Sequence, residues 1–196
     1  MRSAMKNYVL FVLVLLFQIS CGGNNQDSSK VAQKGPSPNF AAKSKLDSSV
    51  FGNSVKIKEY LRKIDPLIVE YSQIQSKIYG VMGSSGVFTG RNLGQITKDQ
   101  KPRLLELSEK LEAIEPPPLI APFHNDFAHL LVLRLSAFDA AIQALEIEDA
   151  SGDTSAFSEV SLKFALSEEQ IVKLNQQMQE INESLLSIEQ NRIATP

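Results

Sequence analysis

The stretch FSEVSLKFALSEEQIVKLNQQMQEINESLLSIEQN, residues 157–191, decides the fold. Phe157, Val160, Phe164, Ile171, Leu174, Met178, Ile181, Leu185 and Ile188 recur in steps of three and four. Ser167 fills the one slot that breaks the rhythm. Only an α-helix returns residues so spaced to a single face. Extended back to 154, the segment spans some 38 residues, and at 1.5 Å each it reaches about 57 Å. A seam of this kind serves as the inner stripe of a bundle or as a coiled-coil contact with a second chain.

The same period runs upstream. Ile57, Tyr60 or Leu61, Ile64, Leu67 or Ile68, Tyr71, Ile74, Ile78 and Val81 form one stripe, interrupted by Pro66. A proline there kinks a continuous helix or opens a new one capped by Asp65, and the stripe keeps its phase across it, which favours the kink. A second helix carries Leu104, Leu107, Leu111 and Ile114. Asp99 is its expected cap, Pro102 falls in its first turn, and Pro116, Pro117 and Pro118 end it. At about 17 residues it is near 25 Å long. A third, from about Pro122 to Asp149, has Phe127, Leu131, Leu135, Phe138, Ile142 and Leu145 on one stripe beside Ala137, Ala141 and Ala144. Between Phe127 and Leu145 only Arg134 and Asp139 are charged, so this helix should be the most buried. Four stripes with mostly short links predict an all-α, antiparallel four-helix bundle over residues 46–196, with a long C-terminal helix. The long helix must overhang its shorter neighbours, pair with an upstream extension of the first helix, or meet another molecule.

Before the bundle the pattern changes. Arg2 and Lys6 precede an apolar run from Tyr8 to Phe17, and Gln18, Ile19 and Ser20 lead to Cys21, the one cysteine among 196 residues. A membrane-crossing helix needs about 20 apolar residues, and this run suits the shorter core of a secretory signal. With Ile19, Ser20 and Cys21 followed by Gly22 and Gly23, the segment resembles a bacterial lipoprotein precursor. Gln18 departs from that family, which usually has Leu or another aliphatic residue there. The resemblance implies a signal peptide at 1–20, a diacylglyceryl thioether on Cys21 and often an acylated amino group. A lone cysteine in an exported chain has no disulfide partner, and the thioether accounts for it. Two or three acyl chains anchor a protein stably where one does not. The resemblance further implies a cell-envelope address, with outer-membrane delivery permitted because no Asp stands just after Cys21. From Gly22 to about Lys45 the sequence is rich in Gly, Asn, Ser, Lys and Pro, so residues 21–45 read as a lipidated cysteine and a disordered tether.

Removal of residues 1–20 would take Arg2 and Lys6 from the 20 cations and leave 18 against 22 acids, a net of −4. That balance argues against a general nucleic-acid binder, which would show a basic face. The charge is uneven: residues 22–65 carry eight cations against four acids, and 146–191 carry ten acids against Lys163 and Lys173. The first and last helices are thus expected to be complementary neighbours, or the basic segment touches anionic headgroups.

Motifs for chemistry are scarce. No G-x-S-x-G elbow, H-E-x-x-H zinc site or Walker loop is present. Asp126 and His129, at i and i+3, resemble half of a di-metal carboxylate pair, but no second such pair exists, and Asp126 also suits the positive end of a helix start. His124 stands five residues before His129, on a different side of the helix. Between the first two helices, residues 80–95 hold Gly80, Gly83, Gly86, Gly90 and Gly94 with Arg91, a mobile connector or an anion cradle. Val87, Phe88 and Arg91 are its contact candidates. Arg134, on the most apolar helix, must pair or reach solvent, with Glu70 and Glu106 as expected partners. Glu106, Glu109, Glu112 and Glu115 with Lys110 read as a solvated face. These features point to a non-enzymatic envelope lipoprotein, held to the membrane by lipid and docking another envelope protein or itself through 154–191, with no cofactor. The competing expectation is a ligand-, anion- or metal-binding sensor around Arg134 or His129; an enzyme comes third.

Overall fold

The computed structural model of the chain describes residues 54–83 and 90–194. Four α-helices follow one another: α1 (Ser54–Gly83), α2 (Gly90–Glu112), α3 (Ala121–Ser151) and α4 (Phe157–Ala194), with a 3-10 turn at Pro118–Ile120 ahead of α3. No strand occurs among the described residues. The signal segment, Cys21 and the tether expected at 1–45 lie outside them.

Cross-helix pairs give the directions. Gln73 of α1 meets Arg103 of α2 and Glu70 meets Lys110, in descending order. Arg91 and Lys101 of α2 meet Asp149 and Asp139 of α3 in descending order. Asp126 of α3 meets Lys173 of α4, whereas Arg134 meets Glu168. Each helix therefore runs against the one before it. Tyr60 of α1 touches His124 of α3, and Tyr71 touches Phe127, so these two helices run the same way. The result is an up-down-up-down bundle.

The α4 seam turns inward: Phe157, Val160, Phe164, Ser167, Ile171, Leu174, Met178, Ile181 and Leu185 are all buried, so the bundle reading of the heptad holds. In α1 the buried members are Tyr60 and Leu67, not Leu61 or Ile68, because Ile57, Tyr60, Ile64, Leu67, Tyr71, Ile74 and Ile78 keep strict 3-4 steps. Pro66 lies inside α1 on the exposed side, and the helix continues through it, so Asp65 opens no new helix. In α3 the buried face is broader than one stripe. It includes Phe123, Phe127, Leu130, Arg134, Ala137, Ala141 and Ala144, and also His124, Leu131, Phe138 and Leu145, while Leu135 and Ile142 are only half-buried on its flank. This width follows from contact with α1, α2 and α4 together.

α2 departs most from expectation. It starts at Gly90 and is 23 residues long, so Asp99 and Pro102 are interior residues, not the cap and first turn. Leu93, Thr97 and Gln100 extend the buried stripe of Leu104, Leu107 and Leu111 backward in the same 3-4 rhythm. Thr97 is accommodated because its hydroxyl donates to the carbonyls of Leu93 and Gly94, each at 2.9 Å. At Gly94 the helices come close: a Cβ there would lie 2.5 Å from Leu145 Cβ and 2.9 Å from the Ala141 carbonyl oxygen. α3 closes on Gly152, whose φ of 74° is left-handed and whose N–H donates to the Glu148 carbonyl at 2.8 Å.

Candidate functional site

The polar centre of the bundle is built on Arg134, midway along α3 and 2% exposed. Its Nη2 donates to Glu168 Oε1 of α4 at 2.7 Å, and its Nε donates to the Tyr71 hydroxyl of α1 at 3.3 Å. The guanidinium carbon lies 4.9 Å from the centre of the Phe164 ring, in cation–π range. The Tyr79 hydroxyl donates to the same Glu168 oxygen and accepts from Gln75 Nε2 at 3.1 Å. Arg134 Nη1 and Gln75 Oε1 are buried and have no hydrogen-bond partner among the described residues.

Burial pushes the Tyr71 hydroxyl up to about 12, and burial likewise raises Tyr79, so both are neutral near physiological pH. Burial works against the Arg134 charge, but the negative groups beside it, Glu168 at 2.7 Å among them, outweigh it and hold the guanidinium above its ordinary value. Glu168 is therefore its counter-ion.

The partners expected for Arg134 were others. Glu70 pairs with Arg103 at 3.4 Å and Lys110 at 3.7 Å, because its side of α1 faces α2. Glu106 pairs with Lys110 at 2.9 Å one helical turn away, on the exposed face expected for the acidic run.

The anion cradle expected at 80–95 is mostly helix: Gly80 and Gly83 belong to α1, Gly90 and Gly94 to α2. Arg91 is engaged by Asp149 and, at 3.7 Å, by Glu148, so it is a link between α2 and α3. Gly86, Val87 and Phe88 lie outside the described residues.

Asp126 and His129 do not converge. Asp126 sits in the second turn of α3, not in its first. Its carboxylate accepts from Lys173 Nζ at 2.7 Å and Gln177 Nε2 at 2.7 Å, while its carbonyl accepts from Gln170 at 3.0 Å. Burial would raise this carboxyl, but those donors and the Lys173 charge outweigh it and hold it below the usual range. His129 is exposed, and among the described residues no group of three or more His, Cys, Asp or Glu is placed to hold a metal ion. His124 is buried, 3.0 Å through Nδ1 from the Tyr60 hydroxyl.

Searches against family models, curated proteins and solved structures return no match.

Sequence reading missed Tyr71, Gln75, Tyr79, Phe164 and Glu168 as companions of Arg134. One signal was available. Ser167, the residue that breaks the heptad, stands between Phe164 and Glu168, the two α4 residues that Arg134 touches. A small side chain in that layer leaves volume for a guanidinium entering from α3.

Proposed function

We propose that this chain is a lipid-anchored protein of the bacterial cell envelope, whose helical bundle acts as a non-enzymatic interaction or structural module. The observation that carries the reading is the apolar run Tyr8 to Phe17 leading to the lone Cys21. Thioether-linked acyl chains on Cys21 supply the membrane attachment, and the address is the outer membrane. Two or three acyl chains anchor a protein stably, and among the described residues no helix is long and apolar enough to cross a membrane.

Docking through α4 falls to its outer side, since the heptad seam is occupied within the bundle. Leu162 and Leu166, one turn apart, are 63% and 45% exposed and form one apolar part of that surface, with Val172 and Leu186 exposed further along the helix. The partner is another envelope protein or a second copy of this chain.

Intact-mass measurement of the mature protein from native membranes tests the anchor. Cys21 carrying the mass of a diacylglyceryl group is expected, with palmitate labelling lost in Cys21→Ser; an unmodified Cys21 overturns the reading. Chemical cross-linking in envelopes, compared between the native chain and Leu162→Glu/Leu166→Glu, tests the module. Loss of a specific cross-link is expected, and an unchanged pattern removes this face.

A further inference from the structure

Exposed apolar side chains gather on the outer side of α3. Val132 there is 59% exposed, and Leu105 of α2 and Leu162 and Leu166 of α4 are exposed as well. Cross-helix contacts set them at one height. Ser136, one turn on from Val132, accepts a hydrogen bond at 3.2 Å from Lys163, the neighbour of Leu162. Because α4 runs against α3, Leu166 then comes near the level of Val132. On the other flank Lys101, one turn before Leu105, meets Asp139, which places Leu105 at the level of the half-buried Leu135. An apolar band thus crosses α3, with Lys101, Asp139, Lys163 and His129 around it. Exposed apolar surface of this kind, rimmed by polar groups, marks a contact surface.

The order of residues along α3 says what covers it. Asn125, His129, Val132, Asp139 and Gln143 are exposed and Ser136 is half-buried on the same side, while Arg134 is buried on the other. About Arg134 they fall in pairs: Val132 and Ser136 two residues away, His129 and Asp139 five, Asn125 and Gln143 nine. An antiparallel stack of two such helices, with a two-fold axis at that level, sets imidazole against carboxylate and amide against amide, each twice, across an apolar centre. Asp139 is held by Lys101 yet keeps 58% of its side chain exposed, so a second molecule can reach it. A parallel stack would instead set Asp139 on Asp139, like charge on like. We propose that this face docks a second copy of the chain, α3 against α3 in antiparallel order about Arg134. The proposal names the occupant of the interaction module, so it rests on that part of the proposed function and not on the lipid at Cys21.

Thiol trapping of the full chain in native envelopes tests it. With Val132→Cys and a short bis-maleimide, a covalent dimer of twice the chain mass is expected, and Gln73→Cys on the exposed side of α1 should give none. In the Val132→Cys background, His129→Asp should reduce the dimer several-fold, and adding Asp139→His should restore it, because the swap exchanges the two ends of each pair. No dimer from Val132→Cys, an equal dimer from Gln73→Cys, a dimer that His129→Asp leaves unchanged, or a loss that Asp139→His does not restore overturns the proposal. Val132, His129 and Asp139 are all exposed, and the helical circular-dichroism spectrum of each variant checks its folding. A cross-link from Val132→Cys to a different envelope protein, with no dimer, overturns the second copy and leaves the module reading standing. The absence of any cross-link, here and around Leu162 and Leu166, removes both.

Discussion

Arg134 and Glu168 are an unequal pair, one side chain 3% exposed and the other 41%. Removing the outer partner strands the inner charge. Glu168→Ala is expected to lower unfolding stability by about 2 kcal/mol, less than a fully buried pair would cost because Glu168 is partly screened by solvent. Replacing both partners, Arg134→Met with Glu168→Leu, should restore most of the loss, since no uncompensated charge remains. Urea denaturation of the three chains checks both. His124 gives a pH-dependent expectation. Burial lowers its pKa, so near and below its ordinary value of 6.5 the unfolded imidazole takes a proton that the folded one refuses. Unfolding then takes up protons, and stability falls as pH drops below about 6.5, levelling off once the folded imidazole also titrates. Denaturation midpoints between pH 7.5 and 5 should show this slope. His124→Gln should flatten it.

Among the helices, α2 is the one whose packing is most exacting. Gly94 lies where any Cβ would meet Leu145 and the Ala141 carbonyl. Gly94→Ala is therefore expected to cost about 1–3 kcal/mol through overpacking, although alanine is the better helix former. Gly80→Ala in α1, where a Cβ meets nothing within 4 Å, should instead gain about 0.5–1 kcal/mol. Opposite shifts in thermal midpoint would confirm the contrast. The same residues explain why α2 was only half legible. Its upstream half presents Gly94 and the polar Thr97 and Gln100 at core positions, and Pro102 mimics a helix start. Apolar periodicity vanishes there, because the stripe is kept by hydroxyl-to-carbonyl bonding and a close helix crossing. In α4 every core slot but Ser167 is apolar, so its span and inner face were readable. The Arg134 centre was not, because side chains from three helices form it and no spacing within one segment encodes them.

On the scale of the whole chain, residues 51–196 form a compact unit of their own. A chain starting at Phe51 is expected to fold alone, with a helical circular-dichroism spectrum and a single cooperative urea transition. A spectrum without strong helical minima would contradict it. Class and topology were legible because helical periodicity and short links leave few arrangements. Partners and ligands were not, since binding residues carry no period. The alternating directions of the helices have a practical corollary. Ser54 and Ala194 end up at one pole, and the turn between Gly152 and Phe157 lies at the other. Splicing that pair of ends through a glycine-serine bridge and cutting at Gly152–Asp153 would give a circular permutant in which α4 comes first. Its interior would be unchanged, and any tag or dye could be moved to the opposite tip.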